Sequence, residues 1–438
     1  MKKQLKSILY IGLLFTVGCE GFLDEKPNKS ILVPERIDEF EAIIDNYDRI
    51  NTTPVLSFMF ADDYWVANTS WNNFNPWQQN AYKWSNDPYL PNESTLDFSL
   101  MYRKIFSANV ILDRIASGTD WEENWEANLK ARALFWRAQG YFELAVLFLP
   151  IPNQAGDSEE IRIPFRTTAE FGQQKDMEDS QVVFELILND LNEALPHLSE
   201  SPSYPTQPSR YAAHALLSRI NLYLGKYQEA NTHAVKVLEG NFEFLDYNEL
   251  DLAATFPIPL FNSETVLFTN MAAQSTVSRN NVAFVDSVLV RSYAENDLRG
   301  QLLFENNFGT TSFKGNYTGR QDIFTGIALD EIYLILAETN ERMGNSDLAI
   351  AYLEDLLVNR YRDFEGLNEA GDLLERVLGE RRKSLLFRGQ RWMDLKRRAV
   401  HDSFRAILRR EVDGQLVNFE TEPENFIVKV PQRQFDLQ

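Results

Sequence analysis

A chain of 438 residues with 44% hydrophobic and 13% aromatic content can build a substantial core, which excludes a disordered protein. Its net charge of −21 repels nucleic acid and anionic lipid surfaces at long range. The single cysteine excludes an intramolecular disulfide.

At the start of the chain, Lys2, Lys3 and Lys6 precede an apolar run from Ile8 to Val17, followed by Gly18-Cys19. A basic flank, a short apolar stretch and a small residue before the cut form a secretory signal. The run is about half of the roughly 20 residues that span a bilayer. Residues 1–18 are therefore expected to be a lipoprotein signal peptide, and Cys19 the acylated N-terminus, although Thr16 stands where a lipobox usually has Leu. Several acyl chains on one cysteine give a firm anchor. Removing the three lysines takes the net charge from −21 to −24. Residues 19–30 read as a polar tether and residues 31–438 as one domain.

The stretch of about 51–93 is punctuated by Pro54, Pro76, Pro88 and Pro91 and is dense in aromatic and amide residues. Sugars pack C–H patches on aromatic faces, while their hydroxyls need amide and carboxylate partners. Trp65, Trp71, Trp77, Trp84 and Tyr64, with Asp62, Asp63, Asn72 and Asn73, supply both kinds of group and are candidate ligand-binding residues. The competing reading is that these tryptophans pack the loop onto the scaffold.

Apolar spacing then predicts helices. Leu134, Ala138, Tyr141, Ala145 and Phe148 form one stripe along Lys130–Phe148, and Pro150 and Pro152 end it. Similar stripes run along Val182–Leu195, Tyr211–Leu224, Glu229–Leu238, Leu329–Met343 and Leu348–Val358. Leu217, Asn221, Gly225 and Ala230 recur 119 positions later as Leu336, Asn340, Gly344 and Ala349. Each set ends a helix at Gly and places Ala where two helices meet, as in tetratricopeptide hairpins. The fold class is accordingly all-α. A tetratricopeptide-like helical repeat scaffold (about 94–240 and 327–400) carries long irregular insertions (about 51–93 and 250–326) and minor short strands. Val266–Phe268 reads as a strand and Ser312–Arg320 as a hairpin or loop, with Asn316 and Tyr317 as further ligand candidates.

Near the end, Arg381, Arg382, Lys383, Arg388, Arg391, Lys396, Arg397 and Arg398 form a basic run interleaved with Phe387, Trp392 and Leu395. That interleaving favours structural ion pairs, with Arg381, Arg391 and Asp394 among them, over a nucleic-acid surface. The four histidines, His197, His214, His233 and His401, form no HExxH pair, and no nucleophile elbow, P-loop or dinucleotide fingerprint occurs. A non-enzymatic binding protein without a cofactor or metal centre is expected, and no motif indicates calcium.

Several separated motifs resemble the SusD/RagB family. They are Phe22–Pro27 after the lipoprotein start, Tyr102–Ile111, Ala131–Ala138, Ala212–Tyr227, Glu331–Glu338 and, most closely, Glu380–Arg397. Ala328 and Arg388 depart from the family pattern, and Val430-Pro431 is a loose version of its terminal motif. The resemblance implies an outer-membrane lipoprotein facing the cell exterior. It implies capture of oligosaccharide or polysaccharide and delivery to a SusC-like TonB-dependent transporter, with a scaffold of four tetratricopeptide-like units. The alternative is a peptide-binding or structural lipoprotein of a transporter complex. A lipid-anchored glycoside hydrolase is a third reading.

Overall fold

The computed structural model describes residues 34–91, 93, 95–153, 160–170, 176–272, 281–307, 309–367 and 371–431. Cys19, the signal peptide and the tether lie outside the described residues. The described residues from Glu41 onward form one compact unit, and those up to Phe40 belong to another.

About half the chain is helical. The scaffold runs through α1 (Leu96–Ala116), α2 (Glu123–Phe148), α3 (Ser180–Ala194), α4 (Arg210–Tyr223), α5 (Tyr227–Val237), α6 (Leu329–Arg342), α7 (Ser346–Leu357), α8 (Leu373–Ser384) and α9 (Arg391–His401). Local chemistry sets their ends. Ser209 Oγ accepts the Ala212 N–H at 2.9 Å and caps α4. Gly225 (φ +73°) and Gly344 (φ +81°) turn the chain after α4 and α6 through the left-handed region, where a side chain is strained.

Helix α2 is buried on nearly all sides because α1 and α3 both pack on it. The apolar stripe in its sequence marks only part of that surface. Arg137, outside the stripe, is buried as well and donates to both oxygens of Asp190 on α3 at 2.7 and 2.8 Å. The 119-residue offset between the two similar hairpins spans an excursion, not a gap in the scaffold. Helix α5 lies against α6, where Asn231 Nδ2 donates to Thr339 Oγ1 at 2.9 Å. Arg219 of α4 grips both oxygens of Glu331 on α6 at 2.8 and 2.6 Å.

The excursion supplies three strands of a four-stranded sheet, and the first loop supplies the fourth. Strands β1 (Tyr64–Val66), β2 (Ala283–Val285), β3 (Phe304–Asn307) and β4 (Thr310–Phe313) form one antiparallel sheet in the order β1-β2-β4-β3. The strand expected at 266–268 is Thr265–Leu267, paired with Ile327–Ala328. Of the hairpin or loop expected over 312–320, residues 314–320 are loop, and the nearby hairpin closes earlier, between β3 and β4. Beyond Phe313 the chain leaves the sheet and turns inward, because Gly315 lies so close to Leu303 that a Cβ would meet its Cα at 2.8 Å. A second hairpin, β5 (Ile407–Val412) and β6 (Gln415–Glu420), turns at Asp413-Gly414, both with positive φ.

The 380–397 segment ties these parts together through charge. Glu380 accepts from Arg299, Arg381 pairs with Asp394, Arg388 with Asp330, and Arg391 with Asp62. Arg397 donates to both oxygens of Glu338 at 2.5 and 2.7 Å. Lys396 Nζ donates to the carbonyls of Val146 and Leu149 at 2.8 and 2.5 Å, satisfying acceptors at the C-terminal end of α2. The expected ion pairing thus holds for Arg381 with Asp394. The partner of Arg391 comes from the first loop.

Asp97, buried in the first turn of α1, accepts the Val55 N–H and the Tyr89 hydroxyl, and so ties α1 to both ends of that loop. Burial pushes its carboxyl up to about 6, against those hydrogen bonds. The folded chain therefore favours the protonated form. The associated stability is fully present below the ordinary value of 3.8 and is lost as pH rises through about 6. Asp97→Asn should flatten the fall in unfolding free energy between pH 5 and 7.5 by about 1.4 kcal/mol relative to the parent, as read by urea titrations at the two pH values.

Candidate functional site

The candidate site is built on the outward face of the four-stranded sheet. Trp65 of β1 stands opposite Phe284 of β2, Phe284 opposite Ser312 of β4, and Ser312 opposite Glu305 of β3. Residues directly opposite share a face, so these four form one row across the sheet, exposed at Trp65 and Glu305, half-buried at Phe284 and buried at Ser312. The other face carries Tyr64, Val66, Ala283, Val285, Phe304 and Phe313, all buried. The alternation fixes the register, because a slip of one residue would turn Trp65 inward and Tyr64 outward.

Trp65 is 39% exposed and its ring centroid lies 4.9 Å from that of Phe284 at a 40° tilt. This leaves an aromatic surface open to solvent. At the Glu305 end of the row the surface dips into a hollow lined by Phe256, Glu305, Phe313, Lys314, Asn316 and Gln321. Lys314 Nζ donates to the carbonyls of Leu252 and Ala254 at 2.8 and 3.1 Å, holding the wall that carries Phe256. Aromatic faces thus adjoin carboxylate, ammonium and amide groups, which suits a polyhydroxylated ligand. A more open hollow of about 480 Å³ lies elsewhere, between the 361–366 loop and α8. Its lining includes Arg362, Arg376, Asp363 and Glu365 with the half-buried rings of Tyr361 and Phe364, 5.9 Å apart, and neither ring is exposed to the degree of Trp65.

The residues expected from sequence divide sharply. Trp71 is half-buried on a short helix (Asn68–Trp71), and Lys83 Nζ lies 5.8 Å from its ring. Its enclosed indole N–H has no hydrogen-bond partner among the described residues. Asn72 and Asn73 beside it are exposed. The others are enclosed. Trp77 packs on Tyr89 with centroids 5.8 Å apart. Trp84 donates its indole N–H to the Phe60 carbonyl at 2.8 Å. Tyr64 stacks on Phe58 at 4.8 Å. Tyr317 donates to Glu264 beneath the Arg388 guanidinium, which lies 4.2 Å from its ring. Asn316 is buried, although it contributes to the hollow's floor.

Asp62 and Asp63 face the protein and not a ligand. Asp63 accepts from Arg382 at 2.8 Å, and Asp62 accepts from Arg391 at 2.6 and 3.0 Å. Burial would raise the Asp62 carboxyl, but Arg391 and Arg382 outweigh it and hold it well below the usual carboxylate range. The aspartates therefore clamp the root of β1 to α8 and α9. In this conformation Trp77, Trp84, Tyr64 and Asp63, expected as ligand contacts, are enclosed and support the loop that presents Trp65, while Tyr317 is enclosed against Glu264, Phe324 and Arg388.

The residue that organises this support, Arg410 of β5, has no counterpart in the sequence-based site. Its guanidinium donates to the carbonyls of Met59, Ala61 and Tyr82. It also lies 4.2 Å from the rings of Tyr82 and Trp84 and 5.0 Å from that of Tyr64. One buried cation thus satisfies three loop carbonyls and three aromatic faces.

Comparison with known proteins places this architecture. A family model described as "SusD family" matches residues 269–432. Another, described as "Starch-binding associating with outer membrane", matches residues 21–222. The chain belongs to the SusD/RagB family. A SusD superfamily protein from Bacteroides thetaiotaomicron superposes over 92% of this chain and 98% of its own, with a TM-score of 0.74 at 21% identity. A laminarin-binding SusD-like protein superposes over 83% of this chain and 92% of its own, with a TM-score of 0.63 at 19% identity. At these identities the likeness shows the SusD fold. SusD-like protein P25 of Formosa agariphila is 24% identical over 289 residues, 59% of this chain. The match spans about half (50%) of that relative's length. Among the described residues of this SusD/RagB chain, no helix is long and apolar enough to cross a membrane.

Proposed function

We propose that this SusD/RagB protein captures glycan chains on the sheet face around Trp65 and Phe284. It then passes them to a SusC-like TonB-dependent transporter in the outer membrane. The observation that carries this reading is the exposed Trp65 with the half-buried Phe284 beside it, ring centroids 4.9 Å apart, on the outward face of the sheet. An indole 39% exposed beside a second aromatic ring offers a flat surface for sugar C–H groups, and Glu305, Lys314 and Gln321 stand within the same surface for hydroxyls. The protein acts by binding and hand-over, without chemistry on its ligand. Acylation at Cys19 supplies the membrane attachment, and residues 19–30 supply the reach.

The ligand is a neutral or weakly charged saccharide of several residues, since the row from Trp65 to Glu305 crosses four strands. Neighbouring strands are about 4.8 Å apart, so the row extends roughly 14 Å, the length of two to three sugar rings. Calorimetry against a panel of soluble polysaccharides, their oligosaccharides and peptides tests the reading. Heat of binding is expected from at least one glycan, with longer chains favoured over monosaccharides. Binding confined to peptides would instead establish the alternative of a peptide-binding lipoprotein. Release of reducing ends from a bound glycan would establish a hydrolase.

A further inference from the structure

Away from the sheet, His214 of α4 and His233 of α5 meet with their Nδ1 atoms 2.9 Å apart and their ring centroids 5.2 Å apart. Both rings are half-buried. Their helices are held in place by close packing, for Ser218 Oγ donates to the Ala230 carbonyl at 2.9 Å, and Ala230 and Ala234 are fully buried. Two imidazole nitrogens at this distance leave room for one proton between them. Burial holds both rings below the ordinary histidine value, and for His214 the charge of His233 adds to it, taking His214 down to about 4. A neutral imidazole keeps one nitrogen lone pair.

A neutral imidazole nitrogen is the commonest protein ligand for divalent transition metals. Metal–nitrogen bonds of roughly 2.0–2.1 Å meeting at a right angle place two nitrogens about 2.9 Å apart, whereas a tetrahedral angle places them about 3.4 Å apart. The rings meet here in a direct hydrogen bond whose 2.9 Å separation equals the right-angle one, so square-planar or tetragonal ions could replace the shared proton without moving the helices. We propose that His214 and His233 form a two-imidazole site for Cu²⁺ or Ni²⁺, with Zn²⁺ a poorer fit, which staples α4 to α5. No group of three His, Cys, Asp or Glu stands close enough to hold an ion among the described residues, so solvent completes the coordination. Glu229 and Glu239 offset the repulsion that Lys236 and Arg210 exert on an arriving cation. The site lies on the helical scaffold and is independent of the glycan surface.

Titration of the whole protein with Cu²⁺, Ni²⁺ and Zn²⁺ by calorimetry tests the proposal, with electron paramagnetic resonance for Cu²⁺. One equivalent is expected, with splitting from two nitrogens, and the thermal midpoint should rise with metal concentration. His214→Ala and His233→Ala should each weaken binding at least tenfold and leave one nitrogen in the spectrum. His197→Ala should change nothing. His233→Gln keeps size and polarity and serves where an alanine variant fails to fold. A parent protein that binds none of the three ions overturns the proposal, as does binding of equal strength in His233→Gln.

Discussion

Arg397→Ala is expected to lower the unfolding free energy by about 3–5 kcal/mol, among the largest effects of any single substitution in this chain. The guanidinium is 1% exposed and its partners are Glu338, fully buried, and Asp394. Removing it leaves Glu338 with Arg342 and Asp394 with Arg381, each carboxylate short of one partner in a region that water does not reach. Burial would raise the Glu338 carboxyl, but Arg397 and Arg342 hold it down at about 2. A carboxylate lowered in this way contributes stability above its ordinary value of 4.5, and that contribution is lost as pH falls through about 2. The difference corresponds to roughly 3 kcal/mol, the same order as the mutational cost. The loss should appear as a lower urea midpoint at unchanged slope. Replacing Glu338 and Arg397 together by Leu and Met should recover most of it, because the cost arises from the unpaired charge and not from the absence of the pair. A double variant as unstable as Arg397→Ala would show that the pair itself, and not charge isolation, holds α6 to α9.

Six of the nine scaffold helices were legible from apolar periodicity, whereas α1, α8 and α9 carried no recognised stripe and α2 begins at Glu123, seven residues before its stripe. Ser209 and Gly225, for instance, mark the start and end of α4 within a residue. The scaffold's stacking was less legible. The 119-residue offset hid the contact of α5 with α6, since sequence distance says nothing about where an excursion returns. The β5–β6 hairpin carried a readable signal that went unused, an Asp413-Gly414 turn between alternating residues. The site was half legible. The aromatic density of 51–93 pointed to the right segment, but a tryptophan that packs and one that binds have the same composition. What separates Trp65 from Trp84 is their partners. Trp65 lies on a strand whose outward neighbour, Phe284, is more than two hundred residues away. Trp84 turns inward at φ +57° to meet Phe60 and Arg410. Asp62 and Asp63 were misread for the same reason, because their arginines lie about 320 residues downstream.

Substituting the aromatic pair separates binding from folding. Trp65→Ala should weaken glycan binding by at least about 2 kcal/mol, some thirtyfold, the scale of an aromatic anchor at the centre of an interface. Phe284→Ala should cost less, because that ring supports Trp65 and is itself only partly exposed. The two together should remove measurable binding. Neither change opens a cavity in the core, since both side chains point away from the buried face of the sheet. Unfolding midpoints should therefore stay close to the parent's. Trp77 and Trp84 provide the contrast, for their truncation removes enclosed rings and should destabilise by about 3–5 kcal/mol. Trp71→Ala belongs with Trp65 if the ligand reaches along the Asn68–Trp71 turn to Asn72 and Asn73, and with the parent if it does not. Calorimetric titration of the parent's best glycan into each variant, paired with its urea melt, decides between these patterns. Full affinity in the folded Trp65→Ala, Phe284→Ala double variant would move the capture site off the sheet.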